Sequence, residues 1–169
     1  YHCEDMEKAQ ITLLRTYYHD PCKHLTVIGV TGTNGKTSVS HLLAQMMVQM
    51  GREVMLIGTG HIRYGDQDIE IDNTTPSACT LAYYFHLALH QRCHVLIMEV
   101  SSHAIDQKRI GFIRFDHVIY TNITSDHLDY HITKTHYRYT KFKLRNYLKR
   151  NGSIIVNHDD ISLHPLYDL

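Results

Sequence analysis

Short apolar runs alternate with longer segments of helical spacing along most of the chain. The apolar runs are bounded by turn-forming residues and predict strands at residues 24–30, 53–57, 94–100, 115–120 and 152–156. Apolar residues that recur with helical periodicity predict helices at residues 4–18, 37–50, 77–90 and 134–149. Strands that alternate with helices are typical of a doubly wound α/β fold, in which helices flank a mostly parallel sheet.

Two segments add detail to this prediction. Residues 61–71 alternate between apolar and polar positions around Gly65 and Asp66, which predicts a small β-hairpin insertion. In the predicted helix at 37–50 we expect an apolar stripe to face the core and Gly51 to end the helix. The stripe consists of Leu42, Leu43, Met46, Met47 and Met50.

The segment between the first strand and the second helix is typical of a phosphate-binding loop. The apolar strand turns through Gly32 and Gly35 into Lys36 and Thr37. Glycines let backbone N–H groups face an anion, the helix N-terminus adds partial positive charge, and the lysine and threonine can reach phosphate and Mg²⁺. The commonest form of this motif has an earlier glycine where this chain has Val30. A plain glycine-rich turn is the alternative, and the flanking strand and helix favour the phosphate loop.

Polar residues follow two other predicted strands, at the sheet edge where ligands bind in such folds. Glu99 lies near the end of one strand and can supply an oxygen ligand to Mg²⁺ held between Thr37 and a triphosphate. Residues 124–131 follow the next strand and combine acids with imidazoles, including His127. The alternatives are a salt-bridged or helix-capping Glu99 and, in the second segment, a helix cap and a core histidine.

Composition argues against several functional classes. Basic and acidic residues number 17 each, so no basic excess indicates nucleic acid as a partner. No apolar stretch approaches the roughly 18 residues that a membrane span needs, so no membrane partner is expected. The 4 cysteines form no C-x-x-C pair, which is typical of reduced thiols and predicts a cytoplasmic protein.

Four motifs, in this order and at this spacing, resemble those of the central domain of the Mur ligases. They are Thr31-Gly32-Thr33-Asn34-Gly35-Lys36-Thr37, Asn73-Thr74-Thr75-Pro76, Met98-Glu99-Val100-Ser101-Ser102-His103-Ala104 and Thr121-Asn122-Ile123-Thr124-Ser125-Asp126-His127-Leu128-Asp129-Tyr130-His131. The second and third motifs are most similar to the branch of the family that adds the third residue of the peptidoglycan stem peptide to UDP-N-acetylmuramoyl-L-alanyl-D-glutamate. The resemblance covers residues 25–156 and implies a P-loop NTPase-like fold.

The resemblance implies an ATP-dependent amide ligase whose middle part is this chain. In that family a substrate carboxylate attacks the γ-phosphate of ATP, and the amine of diaminopimelate or L-lysine then opens the acyl phosphate. We therefore expect a lead-in helix and linker at 1–23, the central ATP-binding domain at 24–157 and a tail at 158–169. The N- and C-terminal domains would be missing, in agreement with Tyr1 in place of Met, and the isolated piece would be inactive.

The resemblance also implies roles for individual residues. Lys36 would contact the β- and γ-phosphates, Thr37 the first Mg²⁺, Glu99 both metal ions and His127 the second. Lys141 matches the lysine that the family carbamylates with CO₂, which requires a neutral amine whose pKa lies below the usual value of about 10.4. An exposed helix lysine is the alternative. The triphosphate would be lined by Gly32, Thr33, Asn34, Gly35, Lys36, Thr37 and Ser38, and the nucleotide-sugar peptide by Thr74, Thr75, Ser101, Gln107 and Arg109.

Two positions depart from the family pattern. Ser38 stands where a second threonine is frequent, and Ser125 stands where arginine is often seen. Two alternative functions are weighed against the leading one: another amide ligase of the superfamily, such as a folylpolyglutamate or cyanophycin-type synthetase, and a non-catalytic ATP-binding module. The first is expected to lack the motifs at 74–76 and 101–103, and the second need not keep the predicted metal and phosphate residues.

Overall fold

The computed structural model describes residues 4–124 and 133–167. In these ranges the helices are α1 (Met6–Tyr17), α2 (Lys36–Gln49), α3 (Ala78–His90), α4 (Ser102–Asp106) and α5 (Lys134–Phe142). The strands are β1 (Thr26–Thr31), β2 (Val54–Gly58), β3 (His61–Tyr64), β4 (Gln67–Glu70), β5 (Val95–Glu99), β6 (Phe115–Tyr120) and β7 (Leu148–Val156). Short 3₁₀ segments span Pro21–Lys23, Lys143–Tyr147 and Ile161–Leu166. No helix of the described ranges has the length and apolar character needed to cross a bilayer.

All the strands belong to one sheet, in the order β4-β3-β2-β5-β1-β6-β7. The pairs from β2 to β7 are parallel, and β3 and β4 form an antiparallel hairpin next to β2. The predicted α/β class, the mostly parallel sheet and the inserted hairpin are therefore confirmed. This order brings the carboxyl ends of β5, β1 and β6 side by side, at the edge where open α/β sheets bind ligands.

The core lies on both faces of the sheet, because alternate residues of a strand point to opposite faces. On one face, residues of β1, β2 and β5 form a smaller cluster under α2. On the other face, a larger cluster includes Leu81 and Phe85 of α3 and Phe112 from the segment before β6. Both faces of the central strands are therefore buried, which explains their continuous apolar sequences.

The inward face of α2 is narrower than the sequence predicted. Leu43 and Met47 pack against the smaller cluster, as expected. Leu42, Met46 and Met50 are 60%, 59% and 71% exposed, so their assignment to the core is wrong. Residues four apart share one helix face, and the predicted stripe combined two such rows, of which the sheet covers only one.

The predicted helix at 134–149 ends early. α5 stops at Phe142, a 3₁₀ segment follows, and β7 begins at Leu148 instead of residue 152. Phe142 and Leu144 are buried in the larger cluster, and Leu148 pairs with Phe115 of β6. Pairing with β6 and burial of these side chains override the helical pattern of the segment, as tertiary contacts commonly do.

Both ends of the described chain pack onto the sheet domain. Ile11 of α1 contacts the larger cluster, and the Arg15 guanidinium donates two hydrogen bonds to the carbonyl of Phe112, at 3.1 and 2.9 Å. At the other end, Leu163 and Leu166 belong to the same cluster. The segments expected as a lead-in helix and a tail thus contribute to the core.

Gly29 provides a test of the packing between β1 and β6. A Cβ atom at this position would lie 2.8 Å from Cε1 of Phe115. We expect Gly29→Ala to lower the free energy of unfolding by about 1–3 kcal/mol in urea titrations, because an overpacked core must shift. Adding Phe115→Leu should recover part of the loss attributable to Gly29→Ala. Strict additivity of the two changes would contradict a direct clash.

Candidate functional site

The loop between β1 and α2 exposes the start of the helix. Gly32 has φ +155° and Gly35 has φ +81°, backbone conformations that favour glycine. A Cβ on Gly32 would also lie 1.9 Å from Oγ1 of Thr121. Gly35 is the N-cap of α2 and no side chain caps the helix there. The first N–H groups of α2, together with the partial positive charge of the helix end, therefore form an anion-binding surface.

The loop is clamped by the residues that follow β6. The N–H of Thr33 donates to the Asn122 carbonyl at 2.8 Å, and the N–H of Asn34 donates to Asn122 Oδ1 at 2.9 Å. In return, Asn122 Nδ2 and Thr121 Oγ1 donate to the Asn34 carbonyl at 3.0 and 2.6 Å. Two of the N–H groups that the sequence assigned to phosphate are therefore used inside the protein, which leaves the first turn of α2 to face an anion. Sequence reasoning gave Thr121 and Asn122 no separate role, although a polar pair directly after a buried strand was the available signal.

The carboxylate of Asp160, which follows β7, holds the segment after β6 in place. Asp160 Oδ2 accepts from the N–H of Ile123 at 2.7 Å, and its Oδ1 accepts from the N–H of Ser162 at 2.9 Å. Burial raises the pKa of Asp160, but the hydrogen bonds from Ser162 and Ile123 outweigh it, so the net pKa lies below the usual value. The ionised carboxylate therefore stabilises the fold at neutral pH, and this contribution is lost as the pH falls through the lowered pKa.

Two lysine side chains meet at one carbonyl of the loop. Lys36 Nζ donates to the carbonyls of Gly32 and Thr33 at 3.1 and 3.0 Å. Lys141 Nζ, from α5, donates to the same Gly32 carbonyl at 2.8 Å and lies 4.8 Å from the centre of the Tyr137 ring. Lys141 is only 1% exposed, so the alternative of an exposed helix lysine is wrong. The fold thus places two amines beside the phosphate loop.

Glu99 ends β5 beside the start of α2 and is fully buried. Its Oε2 accepts from the hydroxyls of Thr37 and Thr59 at 3.0 and 3.1 Å. Its Oε1 accepts from the N–H of Thr59 at 3.2 Å and from the Ser40 hydroxyl at 3.5 Å. Gly58 makes room for this carboxylate, because a Cβ there would lie 2.5 Å from Oε1. Thr59, Ser40 and Gly58 were not singled out from the sequence.

The surroundings of Glu99 fit a divalent cation. Its hydrogen-bond donors in the described residues are all neutral, and it takes part in none of their ion pairs. A buried carboxylate is costly unless positive charge compensates it. The Thr37 hydroxyl adds a second hard oxygen, and Mg²⁺ commonly takes few protein ligands and completes its shell with phosphate oxygens and water. His127, the predicted ligand of a second metal ion, lies outside the described residues.

The described residues contain no larger metal cluster. Across 4–124 and 133–167, no group of three or more His, Cys, Asp or Glu side chains is arranged to hold a metal ion. A cation beside Glu99 would therefore depend on a bound phosphate for part of its coordination, which couples metal binding to nucleotide binding.

The five predicted substrate residues form one connected group next to Glu99. The Thr75 hydroxyl donates to the Glu99 carbonyl at 2.9 Å and accepts from the N–H of Ser101 at 3.0 Å. Arg109 donates to the Thr75 carbonyl at 2.8 Å and, through two nitrogens, to Oε1 of Gln107. Thr74 accepts from the Thr59 hydroxyl at 3.1 Å. Thr75 is buried, so its hydroxyl fixes the site, whereas the half-buried Arg109 and exposed Gln107 can reach a ligand.

Sequence comparison with known families gives a consistent result. The model of the Mur ligase middle domain matches residues 30–166. A UDP-N-acetylmuramoyl-L-alanyl-D-glutamate–2,6-diaminopimelate ligase of Bacillus velezensis is 41% identical over 160 residues, covering 91% of this chain and 33% of that protein. The enzyme of the same name from Parabacteroides distasonis is 40% identical over 159 residues, covering 94% of this chain and 33% of that protein. The chain therefore spans about a third of the length of these relatives.

Solved structures show the same likeness. A structure of a UDP-N-acetylmuramoyl-L-alanyl-D-glutamate–2,6-diaminopimelate ligase superimposes with a TM-score of 0.78 at 30% identity, covering 95% of this chain and 33% of that one. A folylpolyglutamate synthase of Mycobacterium tuberculosis, complexed with ADP and AMPPCP, gives a TM-score of 0.75 at 15% identity, covering 94% of this chain and 43% of that one. At that identity the second likeness concerns the fold alone.

The Asn122 clamp can be tested on the loop itself. Asn122→Ala removes both side-chain hydrogen bonds to Asn34 but keeps the main-chain bond to Thr33. Since a hydrogen bond contributes about 0.5–1.5 kcal/mol, we expect the affinity for Mg²⁺·ADP, measured by calorimetry, to fall about tenfold. Amide exchange should accelerate at Asn34 more than at Thr33. The exposed Asn146→Ala is the control, and equal affinities of the two variants would show that the clamp does not order the loop.

Proposed function

Since the chain belongs to the Mur ligase family as its middle domain, we propose that it is the ATP-binding part of an amide ligase in peptidoglycan precursor synthesis. The observation that carries this proposal is the buried Glu99 carboxylate facing Thr37 at the start of α2, 3.0 Å from its hydroxyl. A phosphate loop beside a buried carboxylate suits the transfer of a phosphoryl group from a nucleotide. The choice among ATP-dependent ligases rests on the relatives.

The proposed reaction joins an amino acid to UDP-N-acetylmuramoyl-L-alanyl-D-glutamate. The relatives' names favour 2,6-diaminopimelate, with L-lysine as the alternative. A substrate carboxylate would attack the γ-phosphate of ATP, releasing ADP and giving an acyl phosphate. The amine would then attack the acyl carbon, expel phosphate and form the amide. Phosphorylation is needed because a carboxylate oxygen is a poor leaving group.

The described residues would share this work in three parts. The first turn of α2 and Lys36 would bind the triphosphate, with Lys36 exchanging the Gly32 and Thr33 carbonyls for phosphate oxygens. Arg109 and Gln107 would orient the carboxylate-rich substrate beside them. When bound, Mg²⁺ would neutralise charge on the phosphates, held by Thr37 and Glu99.

We also infer that Lys141 is carbamylated. Burial disfavours a charged amine, and the neighbouring Lys36 amine on the shared Gly32 carbonyl adds repulsion between like charges. A neutral amine reacts with CO₂ and loses a proton to form a carbamate, which is an anion suited to a cation site. His127 remains the proposed partner of such an anion at a second metal ion. A cytoplasmic location, where these nucleotide precursors are expected, completes the proposal.

Phosphate release by the full-length protein tests the ligase proposal. With ATP, Mg²⁺ and UDP-N-acetylmuramoyl-L-alanyl-D-glutamate present, diaminopimelate and L-lysine are added in separate reactions. We expect release that depends on diaminopimelate, and at least about a hundredfold slower release from Glu99→Gln, whose amide can still pair with the surrounding hydroxyls. Binding of ATP without release under any condition would instead support a non-catalytic module.

Lys141→Ala tests the carbamate. We expect turnover to fall by at least about tenfold, since the anion at the metal site is lost, and formate or excess bicarbonate to restore part of it. Incubation of the wild-type protein with ¹³C-bicarbonate should give a carbamate resonance that Lys141→Ala lacks. Lys143→Ala, a change to an exposed lysine on the segment after α5, is the control. Wild-type turnover in Lys141→Ala would remove the carbamate from the mechanism.

A further inference from the structure

Two histidines at the carboxyl end of α3 lie outside the proposed catalytic site. His86 and His90 are one helical turn apart, and their Nε2 atoms are 2.9 Å from each other. Their ring centroids are 4.4 Å apart at an interplanar angle of 72°. His90 is exposed and His86 is half-buried, so solvent reaches the pair. The catalytic groups described above lie towards the opposite end of α3, whose N-cap is Ser77, shortly after Thr75.

The spacing of the two nitrogens fits a chelated transition metal. Two imidazole nitrogens bound at about 2.0–2.1 Å to one ion are about 2.9 Å apart when they subtend a right angle, and about 3.4 Å apart in a tetrahedron. The observed separation therefore matches adjacent positions of a square-planar or tetragonal ion, the geometry that Cu²⁺ and Ni²⁺ prefer. When each imidazole carries its proton on Nδ1, both Nε2 atoms are free to bind a metal ion, which would replace the hydrogen bond between the rings.

The surroundings of the pair favour a bound cation in two further ways. The Tyr18 ring packs against His86, with centroids 5.4 Å apart, and restricts the rotation of that imidazole. His90 is the last residue of α3, where the helix carbonyls carry partial negative charge. Metal binding to a preorganised ligand beside a helix C-terminus costs less conformational entropy than binding to two mobile surface histidines.

We propose that His86 and His90 form a binding site for a divalent transition metal of tetragonal preference, with Cu²⁺ bound more tightly than Ni²⁺ and Zn²⁺. The order follows from the general preference of nitrogen ligands along the first transition row. No third His, Cys, Asp or Glu of the described residues joins the pair, so water or a ligand from a partner completes the shell. The site does not rest on the proposed ligase function.

The main variant of the test keeps the number of histidines constant. In H90Q/Q91H the second imidazole moves by one residue, which turns it about 100° around the helix and away from His86. Ni²⁺ is the probe, because free thiols reduce Cu²⁺ and Cys79 is exposed. Affinity is measured on protein prepared without a histidine tag, by competition with a chromophoric chelator.

We expect the wild-type protein to bind one Ni²⁺ at least about tenfold more tightly than H90Q/Q91H or His86→Gln, because the second imidazole then binds intramolecularly. His24→Gln, a change at an exposed histidine outside helix α3, should bind as the wild type does. Ni²⁺ should raise the melting temperature of the wild type more than that of H90Q/Q91H. Equal Ni²⁺ affinity in the wild type and H90Q/Q91H would overturn the proposal.

Discussion

The burial of the Glu99 carboxylate is the constraint on which the rest of the site depends. A charge in the interior requires hydrogen-bond partners, and the fold supplies them from two places: Thr37 and Ser40 in the first turns of α2, and Thr59 directly after β2. Gly58 must lack a side chain for the same reason. The main-chain carbonyl of Glu99 in turn anchors Thr75, and through it Arg109. Glu99 therefore links the two proposed sites, with its carboxylate at the metal site and its main-chain carbonyl at the substrate site.

The phosphate loop is held from outside by residues far away in sequence. Asn122 and Thr121 fix its tip, and Asp160 fixes the segment that carries them. Lys36 and Lys141 both donate to the carbonyl of Gly32. Such a loop is ordered before a ligand arrives, which reduces the entropy that binding would otherwise cost. Hydrogen-bonded polar networks of this kind favour one specific conformation of the loop.

Local patterns in the sequence predicted the architecture because burial on both faces of the central strands left continuous apolar runs. Lys36, Thr37 and Glu99 could be proposed as site residues because their chemistry depends on their position at the ends of β1 and β5. The exposed side of α2 could not be predicted, since the sequence does not show whether an apolar residue of this helix is covered by the sheet or exposed. The early end of α5 was also hidden, because pairing between Leu148 and Phe115 decides it. The Asn122 clamp depends on contacts across 88 positions of sequence, which no local pattern records.

The described cysteines differ in a way that has a practical consequence. Burial raises the pKa of Cys22 and of Cys93 to about 11, so little of either thiol is ionised at neutral pH. Cys79 is exposed in the first turn of α3, a few residues from Thr75. Thiol-directed fluorophores should therefore discriminate strongly among these three positions. Light emission from a label at Cys79 could then follow, in real time, the arrival of a ligand beside Thr75.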